Sequence, residues 1–95
     1  MLKVVAKMAF APEEIKAAMP LVEELLAATV KQDGCISYQF CKDLEGEGAY
    51  AMMETWKDNE ALEAHLQSED FARLSPQLDA HITGGPQMAV YEVLL

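Results

Sequence analysis

Two stretches of this chain, residues 49–57 and 87–94, have the composition of strands yet present apolar side chains in both directions. By period two the first sets Tyr50, Met52, Glu54 and Trp56 on one face and Ala51, Met53 and Thr55 on the other. The second sets Met88, Val90 and Leu94 against Ala89, Tyr91 and Val93. A sheet of such strands needs cover on both sides. A chain of 95 residues has one core and one layer of helices to offer. The uncovered face is then a large apolar patch, and such patches mark interfaces. Pairing of two copies through the sheet face is expected. It suits a domain this small, which buries only roughly 60–65% of its unfolded surface when alone.

The remaining pattern fills in the fold. Residues 3–10 read as a strand with Val4, Ala6, Met8 and Phe10 on one face. Pro12, followed by Glu13 and Glu14, signals a helix start. Ile15, Ala18, Met19, Val22, Leu25 and Leu26 recur at helical spacing, positions 29 and 30 continue the stripe, and Gly34 stops it. Pro20 predicts a kink near residues 16–20, or a short helix followed by a longer one. Residues 35–42 read as a strand with Ile36, Tyr38 and Phe40 together, joined to 49–57 by a glycine-containing turn. Asp58 caps a helix running through Leu62, His65 and Leu66. Ser68 starts a short turn through Phe71 and Leu74, residues 76–83 read ambiguously as helical turns and loop, and Gly84-Gly85-Pro86 interrupts the chain before the last strand. The order β-α-β-β-α-β predicts one α+β domain over residues 1–95, a ferredoxin-like four-stranded antiparallel sheet with two helices on one face.

Charge excludes some partners. Sixteen acidic and seven basic side chains give a formal net charge of −9, with no basic cluster. Nucleic acid and anionic membranes demand the opposite sign. There is no run of 18 apolar residues and no signal-peptide pattern at the N-terminus, so a cytoplasmic protein is expected. Cys35 and Cys41, on one strand, would lie roughly 20 Å apart, too far for a disulfide. With two histidines and these distant thiols, no three-ligand metal set has suitable spacing, and no phosphate-binding loop occurs. Neither metal nor cofactor is expected.

The stretch Glu54-Thr55-Trp56-Lys57-Asp58, then Ala61-Leu62-Glu63-Ala64-His65-Leu66-Gln67-Ser68 and on to Phe71, resembles the antibiotic biosynthesis monooxygenase family. That family pairs an E-x-W strand end with an acidic cap, an inward histidine and a Ser-x-x-Phe step. Upstream, Gly34-Cys35-Ile36-Ser37-Tyr38 is similar to its G-C-x-x-Y opening of the second strand. The resemblance covers essentially the whole chain and is closest to the small quinol-monooxygenase-like members. It implies a dimeric α+β barrel. It also implies a range of activities: O₂-dependent oxidation of quinols or polyketide aromatics without cofactor, isomerisation of small phosphorylated sugars, haem cleavage, or none known. Haem cleavage in this family uses an Asn on the first strand and a His after a Trp on the second helix. Here the first strand has no Asn, His65 stands near the Trp position, and residues 71–75 contain no His.

Each candidate residue has a chemical and a structural reading. His65 titrates near neutrality and can take a proton from a phenol or hydrogen-bond a carbonyl. With Leu62 and Leu66 beside it, it should point between helix and sheet, where it could equally serve as a structural histidine bonded to backbone. Trp56 is a substrate-facing wall or a core anchor. Glu54 is a base raised by desolvation, or a buried carboxylate paired with His65 or a backbone amide. Tyr38, Tyr50 and Met52 line a pocket for a planar substrate or are plain core. The expected activity is cofactor-independent monooxygenation of a small quinol or phenol, with His65 catalytic and Glu54, Trp56, Tyr38, Tyr50 and Met52 binding the substrate. The alternatives are a non-catalytic dimeric module that binds a small metabolite or serves in stress response, and an isomerase acting on a small carbonyl compound.

Overall fold

Alternating side chains set the sheet. In the computed structural model, which describes all 95 residues, β1 (Leu2–Phe10) buries Val4, Met8 and Phe10 on one face. It is flanked by β3 (Ala49–Trp56) and β4 (Ile82–Glu92), and β2 (Cys35–Lys42) completes the order β2-β3-β1-β4, every pair antiparallel. Helices α1 (Pro12–Thr29), α2 (Asn59–Leu66) and α3 (Glu69–Asp79) cover one face. Between helices and sheet lies a single core of Val4, Met8 and Phe10 from β1, Ala18, Val22 and Leu25 from α1, Tyr38, Met52 and Trp56 from the hairpin, and Leu62, Leu74 and Leu78 from α2 and α3. The ferredoxin-like sheet expected from the sequence is present. No helix is long and apolar enough to cross a membrane.

The differences have local causes. There are three helices where two were expected, because Ser68 caps a full helix rather than a turn: its hydroxyl accepts from Phe71 N at 3.2 Å and the helix continues through Pro76. Helix α1 runs unbroken through Pro20, which lies on its exposed side, so the carbonyl deprived of a partner can face water. The helix ends at Thr29, before Gly34. Gly34 instead serves a close approach. Its φ is +84°, its carbonyl accepts from Lys57 N at 2.8 Å, and a Cβ there would lie 2.4 Å from the Ala61 Cβ.

A register shift between Cys35 and Ser37 turns Ile36 out to solvent, away from Tyr38 and Phe40, while Cys35 packs on the core. The last strand begins at Ile82, with Gly84, Gly85 and Pro86 inside it at a pairing irregularity opposite Lys7–Phe10, and Leu94 lies beyond its end.

Candidate functional site

Pleating places Glu54 and Trp56 on the same, helix-facing side of β3, and antiparallel pairing sets Tyr38 of β2 directly across from Glu54. Above them, α2 begins at Asp58, whose carboxylate accepts from Ala61 N at 2.9 Å, and this start brings His65 round to the sheet at the helix's last turn. His65 is 2% exposed. Its ring stands 4.8 Å from the Trp56 ring, 4.8 Å from Phe71 and 5.4 Å from Tyr38, centroid to centroid. An imidazole enclosed on three sides by aromatic rings has little water to solvate a positive charge.

Two hydrogen-bonded pairs organise the polar atoms. Trp56 Nε1 donates to Glu54 Oε1 at 2.8 Å, so the carboxylate is partnered by the indole and not by His65 or a backbone amide. His65 Nδ1 lies 2.8 Å from Oε1 of Gln32, a residue of the loop between α1 and β2. The Gln32 Nε2 donates to Ser68 Oγ at 3.2 Å, and Ser68 Oγ donates to the His65 carbonyl at 2.7 Å. Thr29 Oγ1 is the one fully buried side-chain polar atom without a partner. The Tyr38 hydroxyl, His65 Nε2 and Glu54 Oε2, which make no hydrogen bond within the chain, therefore retain accessible surface.

All three residues line a cavity of about 100 Å³ between helices and sheet. Tyr38, Glu54 and His65 share it with Met8, Met52 and Phe71 on the inside, and its exposed members, Leu66, Asp79, Pro86 and Met88, form the rim. No Lys or Arg lines it. Burial pushes the Glu54 carboxyl up to about 7, the indole hydrogen bond offsetting part of the rise. Burial drives His65 the other way, down to about 4, so the imidazole is neutral at neutral pH. The Tyr38 phenol is raised, first by burial and then by the Glu54 charge, and stays protonated. The Cys35 thiol is raised by the same two causes and is no thiolate nucleophile. No three His, Cys, Asp or Glu side chains are grouped to hold a metal ion.

The structure thus brings together five of the six residues singled out from sequence: Tyr38, Met52, Glu54 and His65 at the cavity, and Trp56 behind them. It sets Tyr50 apart. That ring stacks on Phe40 at 5.4 Å and meets Phe10 edge-on at 5.7 Å, a cluster outside the cavity lining. Gln32 escaped the sequence reading. A polar loop residue carries no periodicity, and the only available signal was its place two residues before Gly34.

Residues 1–77 match the family model described as antibiotic biosynthesis monooxygenase. Among solved structures, a conserved protein from Methanosarcina mazei Go1 superposes with a TM-score of 0.91 at 32% identity, over 95% of this chain and 89% of that one. A structure described as an antibiotic biosynthesis monooxygenase superposes equally well, with a TM-score of 0.91 at 32% identity and complete coverage of both chains. The uncharacterized protein sll1783 of Synechocystis sp. (strain ATCC 27184 / PCC 6803 / Kazusa) is 27% identical over 70 residues, 70% of this chain and 48% of its own length. The chain therefore spans about half of that curated relative.

Proposed function

This chain belongs to the antibiotic biosynthesis monooxygenase family, and on that premise we propose that it oxygenates a small quinol or phenol with O₂, using the cavity beside His65 and no cofactor as reactant. One observation carries the reading: a neutral imidazole, buried among three aromatic rings, keeps one nitrogen unpartnered at an apolar cavity that also holds a carboxyl and a phenol.

The chemistry follows from the energetics of the proton. Moving a proton from a phenol of pKa near 10 to an imidazole of about 4 costs roughly 8 kcal/mol at about 1.36 kcal/mol per unit. His65 therefore accepts the substrate's O–H as a hydrogen bond and takes the proton as an electron leaves for O₂, when the ring hydroxyl becomes strongly acidic. The substrate radical and the superoxide then join as a carbon-bound peroxide, which becomes a hydroperoxide by taking back the proton from His65. Loss of water leaves a new carbonyl or hydroxyl on the ring, the substrate supplying all the electrons. The Tyr38 hydroxyl, held protonated, is the donor available to the developing oxygen charge. An uncharged substrate is favoured, since the cavity offers no cation to a carboxylate or phosphate.

Oxygen consumption with a panel of hydroquinones and phenols, in the presence of chelator, tests the proposal. Uptake should fall by about 10²–10⁴ in His65→Ala, the usual worth of a positioned acid–base group. Full uptake in that variant removes His65 from the reaction, and no uptake by the parent protein across the panel removes the reaction class.

The size of the cavity favours a second reading. At about 100 Å³ it is smaller than the ~150 Å³ known to enclose benzene, so a ring is fully enclosed only if Met8, Met52 or Met88 gives way. A module that binds a smaller apolar metabolite without turnover meets no such demand. It would show ligand-dependent thermal stabilisation with no oxygen uptake. The family also supports assembly through the uncovered sheet face, the second copy supplying the cover that β3 lacks there.

A further inference from the structure

The polar chain running from His65 through Gln32 and Ser68 closes on itself, and its direction is not free. It ends at a backbone carbonyl, that of His65, which can only accept. The Ser68 hydroxyl donates its one proton there at 2.7 Å, leaving Ser68 Oγ as an acceptor. It receives Phe71 N–H at 3.2 Å and Gln32 Nε2 at 3.2 Å, which fills its remaining capacity. Gln32 must therefore turn its NH₂ toward Ser68 and its carbonyl toward the imidazole, since the opposite orientation would face Ser68 with a second acceptor that no proton remains to serve. Oε1, 2.8 Å from His65 Nδ1, cannot donate. The proton of the neutral ring is consequently on Nδ1, and the lone pair is on Nε2.

We propose that Gln32 is a positioning residue that fixes the His65 tautomer, holding the proton on Nδ1 and presenting Nε2 to the cavity as an acceptor. Free imidazole side chains in water favour the opposite form, with the proton on Nε2, which would give the cavity a donor and could not receive a substrate proton. The information that selects the tautomer is local geometry. The Ser68 cap that starts α3 also sets the direction of the hydrogen-bond ring, and the loop before Gly34 delivers the amide. The consequence for turnover rests on the oxygenase reading above; the tautomer itself does not.

The test is a two-bond ¹⁵N–¹H correlation spectrum of the ¹⁵N-histidine-labelled protein at neutral pH. The parent should show a pyrrole-type Nδ1 and a pyridine-type Nε2 for His65. Gln32→Leu should move the ring to the Nε2–H form or a mixture. Gln32→Glu, which keeps an acceptor at Nδ1 but gives up the donor to Ser68 Oγ, should keep a proton on Nδ1. An Nε2–H ring in the parent, or an Nδ1–H ring unchanged in Gln32→Leu, overturns the proposal. With an active substrate, Gln32→Leu should lower kcat at least tenfold more than it raises KM, while a mere packing defect would leave the spectrum in place. Absence of oxygen uptake alongside the expected spectra would count against the oxygenase reading and leave the tautomer assignment standing.

Discussion

Glu54 and His65 sit in one cavity with their titrations pushed in opposite directions, and that opposition makes them separable by experiment. The Glu54 carboxyl has an ordinary value of 4.5 and a folded value of about 7, so between these pH values the folded state holds a proton that the unfolded chain releases. Its contribution to stability is complete below 4.5 and is lost as pH rises through 7. His65 falls from 6.5 to about 4, so the unfolded chain takes a proton that the folded state refuses, and its contribution is lost as pH falls through that window. From about 4.5 to 6.5 the two slopes offset each other. Relative to the parent, Glu54→Gln should gain about 3 kcal/mol in denaturant unfolding as pH rises from 4.5 to 7, and His65→Gln should lose a similar amount from 4 to 6.5. A Glu54→Gln difference flat across pH would mean the carboxyl titrates normally. Trp56→Phe deletes the indole donor 2.8 Å from Oε1 and should push Glu54 above its present value, read from the carboxyl ¹³C shift.

Much of this was legible at the residue scale, because strand alternation alone sets Glu54 and Trp56 side by side. Which partner Glu54 takes was not. Period-two spacing says that Trp56 is within reach along the strand, whereas the approach of His65 depends on how α2 crosses the sheet. Gln32 was invisible for the same reason, its role arising only where a loop meets a helix corner 33 residues away.

At the scale of elements, boundaries that rest on periodicity were readable and those that rest on packing were not. Strands β2 and β3 begin and end within a residue of expectation. The exposure of Ile36 was hidden, since a bulge leaves the sequence pattern intact while reversing which way one side chain points. Helix α3 was underestimated because the apolar spacing from Ser68 runs out at Leu74, although the helix carries on through Pro76 to Asp79. Gly34 read as a helix stop, but its conformation and the nearness of Ala61 make it the hinge that seats α2 on the start of β2. Gly34→Ala should therefore cost on the order of 1–3 kcal/mol in thermal or chemical unfolding. Ala61→Gly in the same chain should recover part of that loss through a favourable coupling energy, because one of the two clashing methyl groups is gone. Strict additivity of the two changes would mean that the strain lies in the backbone alone.

For the molecule as a whole, the helices cover one face and leave the other to be answered for. On that outer face Met53 is 44% exposed and Tyr91 57% exposed, in a chain whose charge of −9 otherwise keeps copies apart. Sedimentation should give the mass of two chains, and Met53→Lys should shift it toward one and lower the unfolding temperature in a concentration-dependent way. The fold was legible because six elements in order leave few topologies to choose from, while the reaction was not, because a fold hosts many chemistries. The most direct measurement of the proposed chemistry is isotopic. With ¹⁸O₂ and a hydroquinone that supports uptake, the parent protein should yield product carrying one ¹⁸O atom and water carrying the other, and His65→Ala should yield neither above the uncatalysed background. Product without ¹⁸O, or label incorporated equally by His65→Ala, would contradict the assignment of this cavity as an oxygenase centre.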